Sequence, residues 1–377
     1  FAVTANVFIT PGEGTLVVTG QAPALAVTTN QFVTSGEGAL VIAGQVPTIV
    51  VNTIINTSEG ALIVAGQAPT IAVTANAFIT SGEGTIVVTG QAPTLATTAH
   101  VFITLGEGIL VVTGQAPTTA ISNNVSITSG EGTLVVAGQA PTLAATAHVF
   151  ITSGEGAIAV TGQIPTLAVT AKVFITSGEG VLVVAGQVPT IQVSSGAQVA
   201  TGEGVLVIAG HAPALAVTAH VSISSGEGTL VIAGQTPTIA VTANQFVTAG
   251  EGLIVVAGNA PSIVQTTNAW AMPGEGTLVV TGQAPALAVT ANQFVTAGEG
   301  TLVVTGQTPS IRMGITAGQG ALVVAGQAPT LAVTANVFIT PGEGVLVVAG
   351  QAPTLVQTTN AWATLGEGTL VVTGQAP

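Results

Sequence analysis

Gly82-Glu83-Gly84-Thr85-Ile86-Val87-Val88-Thr89-Gly90-Gln91-Ala92-Pro93-Thr94-Leu95-Ala96-Thr97-Thr98-Ala99-His100-Val101-Phe102-Ile103-Thr104-Leu105 reads as one complete unit of a tandem array. The centre of its opening Gly-Glu-Gly recurs at 13, 37, 59, 83, 107, 131, 155, 179, 203, 227, 251, 275, 299, 319, 343 and 367, sixteen units in all. The spacing is 24 residues except for 22 before Glu59 and 20 before Gln319. Such a fixed period is the signature of a repeat architecture, in which each unit buries its apolar face against its neighbours. Gly and Pro punctuate every unit, so Gly-Glu-Gly reads as one turn and Gly-Gln-Ala-Pro as a second corner.

Between the corners the pattern is β. Three and five residues after the Glu come Leu or Ile and then Val or Ile, as in Leu16 and Val18 or Ile86 and Val88, which is one face of a strand. The opposite face carries Thr15, Val17 and Thr19, or Ala39, Val41 and Ala43, so both faces look capable of burial. The stretch from Thr94 to Thr104 exceeds the usual strand of about 5 or 6 residues and is expected to bend near Ala99-His100. The column seven before the Glu holds Asn in ten units and His100, His148, His220, Lys172, Gly196 or Arg312 in the others. Asn, Gly and His tolerate left-handed backbone and suit a corner. The two short units lose two and four residues between the Pro and this bend. Both losses are even, so every flanking side chain stays on its own face.

The fold expected is therefore all-β: a β-solenoid of about 16 coils of 24 residues with two or three short strands per coil, residues 1–377 forming a single continuous tandem-repeat array with short units near 38–59 and 300–319. An antiparallel β-hairpin meander and a membrane β-barrel fit the alternation too. A solenoid stacks the Glu of adjacent coils about 4.8 Å apart, where carboxylates repel unless a solvated turn splays them.

Segments such as Gly14-Thr15-Leu16-Val17-Val18-Thr19-Gly20-Gln21-Ala22-Pro23 resemble the tandem Gly-x-Leu-x-Leu-Thr-Gly-x-Ala-Pro repeats of uncharacterised phage virion proteins. The resemblance runs along the whole chain. It implies a fibre or appendage role and carries over no functional residue.

Composition narrows the function. Charged residues are 5% of the chain, Cys, Tyr and Asp are absent, and Lys172 and Arg312 are the two fixed cations. A net charge of -13 without basic clusters argues against nucleic acid as a partner. Mean hydropathy is +0.76, yet apolar runs break off long before the roughly 20 residues that a spanning helix needs. No unit pairs a His with a unique Ser and carboxylate, so no enzyme is expected, and no cofactor. All 15 acidic residues are the turn Glu. One carboxylate per turn without Asp points to a solvated turn, not a Ca²⁺ ladder, so no metal site is expected. Asn56-Thr57-Ser58 and Asn124-Val125-Ser126 match the glycosylation sequon, a pattern common by chance.

One column invites a sharper reading. Phe8, Phe32, Phe78, Phe102, Phe150, Phe174, Phe246, Trp270, Phe294, Phe338 and Trp362 all lie five residues before the centre of the turn, while other units place Ser126, Gln198, Ser222 or Gly314 there. A sealed core position would not readily take Ser and Gln, so the column reads equally as a partly exposed aromatic binding stripe or as packing under a corner. The expected role is a structural filament or fibre subunit, extracellular or on a virion surface, whose partner is itself through head-to-tail and lateral association. The alternative is an adhesin or carbohydrate-binding rod that uses the stripe against glycans or a cell surface; an ice-binding Thr array is weaker, because Ala and Val dilute the Thr columns. The chain starts and stops inside a repeat, which fits head-to-tail joining or a longer array.

Overall fold

The computed structural model describes residues 2–3, 8–9, 13–27, 32–34, 37–51, 54–73, 78–97, 102–122, 125–146, 149–170, 173–176, 178–194, 198–200, 202–218, 222–224, 227–242, 245–248, 251–266, 269–272, 275–290, 294–296, 299–312, 314–316, 320–333, 338–340, 344–357, 362–363 and 369–374. The chain forms two compact units, Phe1–Gln192 and Val193–Pro377. Each contains strands and no helix among the described residues.

One repeat supplies three strands. In the first unit these are Thr133–Gly138 after the Gly-Glu-Gly turn, Thr142–Thr146 after the proline, and Val149–Thr152 carrying the aromatic column. In the second they are Leu253–Gly258, Ser262–Thr266 and Ala269–Met272. They are here called the turn, proline and aromatic strands. Each pairs in parallel with the same strand of the neighbouring repeats: Thr133 with Ile109 and Ala157, Thr142 with Thr118 and Thr166, Val149 with Val125 and Val173. The second unit repeats the pattern, with Leu253 opposite Thr229 and Thr277. Three parallel sheets therefore run through each unit, and the fold is a parallel β-solenoid.

The hairpin meander and the barrel are overturned by that pairing, since both need antiparallel neighbours. The reason lies at the corners. Gln139 N and Ala140 N both donate to Gln115 O of the previous coil, at 2.8 and 3.0 Å, and Thr142 N donates to Pro117 O at 2.9 Å. Amides that bond one coil down cannot close a tight reversal across their own turn. The corner redirects the chain to the next side of the coil instead of folding it back.

The core is a set of vertical columns. In one turn of chain Ile86, Val88, Leu95, Ile103 and Leu105 are buried, all at 1% exposure or less. The next coil places Leu110 and Val112 above Ile86 and Val88. Burying side chains of this size contributes roughly 1.5–3 kcal/mol each. The turn strand shows strict alternation, with Leu134 and Val136 buried and Thr133, Val135 and Ala137 half-exposed. The expectation that both faces are buried thus holds for one face only in this chain.

Two columns that read as corner are core. Pro47, Pro69, Pro93 and Pro117 are buried. A Cβ added at Gly44 would run into Gly20 O and the ring of Pro23, so the Gly of one coil sits against the proline of the coil below and must lack a side chain. The residue before Gly-Glu-Gly also points inward: Thr57, Ser81, Leu105, Ser129 and Ser153 are all buried.

The short repeats keep their register. Val27 pairs with Val51 and Val33 with Ile55, so the two missing residues fall between Val51 and Ile54. Ile55 stays at 1% exposure in the column of Ile79. In the second unit Ala288 pairs with Arg312 and Phe294 with Gly314. Arg312 accordingly belongs to the proline strand Ser310–Arg312 and not to the corner column where spacing from Gln319 places it. The bend column itself, including Asn76, His100, Asn124, His148, Lys172, Gly196 and His220, lies outside the described residues.

Candidate functional site

Three features of the solenoid surface are candidates, and each is fixed by the same coil-to-coil ladder. The first is the Glu column. Glu83, Glu107, Glu131, Glu155 and Glu179 are exposed. Four of these turns have a left-handed first Gly, with φ of 38° at Gly82, 49° at Gly130 and 53° at Gly154 and Gly178, a conformation that costs an L-residue roughly 1–2 kcal/mol; Gly106, before Glu107, is not left-handed. Glu83 N and Gly84 N both donate to Ser58 O at 2.8 Å. The second Gly is needed for space, because a Cβ at Gly84 would strike the carbonyls of Thr57 and Gly60. Among the described residues no group of three or more His, Cys, Asp or Glu could hold a metal ion. The described histidine, His211, replaces the exposed corner Gln and accepts from Gln235 N at 2.8 Å through its own carbonyl, as Gln does elsewhere.

The second is the aromatic column. Register brings it together along the aromatic sheet: Phe8 opposite Phe32, Phe78 opposite Phe102, Phe150 opposite Phe174 and, in the second unit, Phe246 opposite Trp270, Trp270 opposite Phe294 and Phe338 opposite Trp362. Ile54, Ser126, Gln198, Ser222 and Gly314 interrupt it. Each aromatic precedes a column whose described members, Ile55, Ile79 and Ile103, are buried. Whether the aromatic side chains form an exposed stripe or pack under a corner lies outside the described residues.

The third is the outward face of the turn strand, which sequence reasoning did not single out. Its middle column is Val87, Val111, Val135, Ala159 and Val183, all half-exposed and flanked mostly by Thr or Ala. Ile109 at 41% and Val181 at 36% stand out from it, and Thr113 Oγ1 donates to Thr89 Oγ1 at 3.3 Å along the flank. The signal was available in the alternation, where Val recurs between two Thr or Ala positions, but a Val column looks the same whether it is inside or outside. No protein-family model, curated protein or solved structure matches this chain.

Proposed function

We propose that the chain is a structural filament or fibre subunit, extracellular or borne on a virion, that associates with itself through repeat edges and apolar lateral faces and performs no catalysis. The observation that carries this reading is the register. Each paired strand stands opposite the same strand of the next repeat, and the short repeats keep that register, so the described surface is laid out in long columns. The finer reading assigns each of the sixteen repeats one coil, which the offset of one repeat between paired strands supports. The phage-repeat resemblance supports the same role. Electron microscopy of the purified protein tests it: filaments or bundled fibres are the expected result, and uniformly dispersed single particles at high concentration would overturn it.

A second reading, an adhesin or carbohydrate-binding rod, is favoured by Phe246, Trp270 and Phe294 standing in register, with Trp270 and Trp362 both following Thr-Thr-Asn-Ala. It expects these rings to face solvent. Binding to a glycan array that is lost in Trp270→Ala with Trp362→Ala would favour it over the fibre.

A further inference from the structure

Among the described residues, the outward face of the turn strand is a continuous surface that no other part of the solenoid covers. In the first unit its central column runs through Val41, Ile63, Val87, Val111, Val135, Ala159 and Val183, all half-exposed, with Ala159 the one gap in a ridge of branched side chains. The flanking column mixes Ala43, Ala65, Ala137 and Ala185 with Thr89, Thr113 and Thr161, all uncharged and half-exposed. No charge lies on the face, because all 15 acidic residues belong to the turn column. At the adjoining corner Val46, Ile164 and Val188 are exposed at 48, 54 and 43% and extend the apolar surface. We propose that this face is the lateral contact of the filament reading, on which the proposal rests, and that its occupant is a second copy of this chain docked face to face.

Geometry favours a copy over any other partner. The side chains of the face repeat at the strand spacing of about 4.8 Å, so rung-by-rung packing needs a partner with the same spacing. The face measures roughly 650 Å² in the first unit alone, from strands of about 17 Å and eight rungs at about 4.8 Å. Two such faces together bury about 1,300 Å², within the range of stable specific interfaces. The turn glutamates sit at the edge, where docking leaves them solvated, and a symmetric contact of one patch with itself closes without further surface.

The test is sedimentation and electron microscopy of the full chain beside two variants, Val87→Lys/Val135→Lys/Val183→Lys and Val87→Thr/Val135→Thr/Val183→Thr. Each added Lys lowers the net negative charge, so any change governed by charge alone would strengthen association. The proposal expects the unmodified chain to associate laterally at about 100 µM, the Lys variant to lose lateral pairing and leave single chains or unbundled filaments, and the Thr variant to pair laterally at least about tenfold more weakly. Circular dichroism verifies folding; if the Lys variant loses its β signal, the nearly isosteric Thr variant decides. Association or bundling unchanged in a folded variant overturns this inference and leaves the filament reading standing. A chain that forms neither filaments nor dimers overturns both, and a monomer that binds lipid vesicles through the same valines overturns the second copy as occupant.

Discussion

Thr119 is the residue where the core departs from its own pattern. Register places it between Leu95 and Leu143, both fully buried, and its own exposure is 0%. Its Oγ1 has no hydrogen-bond partner. A buried hydroxyl without a partner costs about 1–3 kcal/mol, and Leu is the side chain its neighbours show the column accepts. Thr119→Leu is therefore expected to stabilise the protein by about 1–3 kcal/mol, read as a higher urea midpoint at unchanged slope; a lower midpoint would mean that the site cannot accept the larger side chain. Glycines give the opposite sign. Gly154, at φ 53°, has Gly130 O close to where a Cβ would stand, so Gly154→Ala should lose at least about 1–2 kcal/mol from the left-handed backbone alone. Replacement of the exposed corner Gln139 by Ala should change the midpoint little, which separates a backbone requirement from general sensitivity of the corners.

At the scale of the strand, parity decides what the solenoid tolerates. Ile55 remains in the core although its repeat is two residues shorter, because an even loss returns the chain to the aromatic strand on the same face. Removing Asn123 and Asn124 together, between strands Thr118–Ser122 and Val125–Thr128, should accordingly leave cooperative unfolding intact. Removing Asn124 alone leaves an odd loss. To keep their pairing, the strands on either side must then disagree in face, which would expose a column like that of Ile103, or the corner must absorb a strained residue. The expected result is a drop of several kcal/mol in thermal or urea unfolding for the single deletion only. Equal effects from the two deletions would show that the corner, and not strand parity, governs the tolerance.

For the molecule as a whole, the turn glutamates are the main electrostatic feature: fifteen of the sixteen repeats carry one, those described are exposed, and no cation stands in the column. Exposed like charges at strand spacing repel and are screened by salt. The melting temperature should therefore rise between about 10 mM and 0.5 M NaCl, and a chelator should leave it unchanged, since a tightly held cation would raise stability by mass action. A fall of many degrees on chelation would assign the Glu column to metal binding. The amino-acid sequence alone determined the repeat, the β class, the alternating core columns and the meaning of the even deletions, because side-chain parity is a local property with a period of two. It also marked the Glu turn and the aromatic column as fixed positions. Only the tertiary structure decided between parallel coils and hairpins, since that depends on whether corner amides such as Gln139 N find acceptors within their own turn or one coil away. The same contact between coils seated Pro93 and Ser81 in the core and left the Val87 column outside. A single repeat has no coil above or below it, so its own residues carry no record of which face the stack will cover.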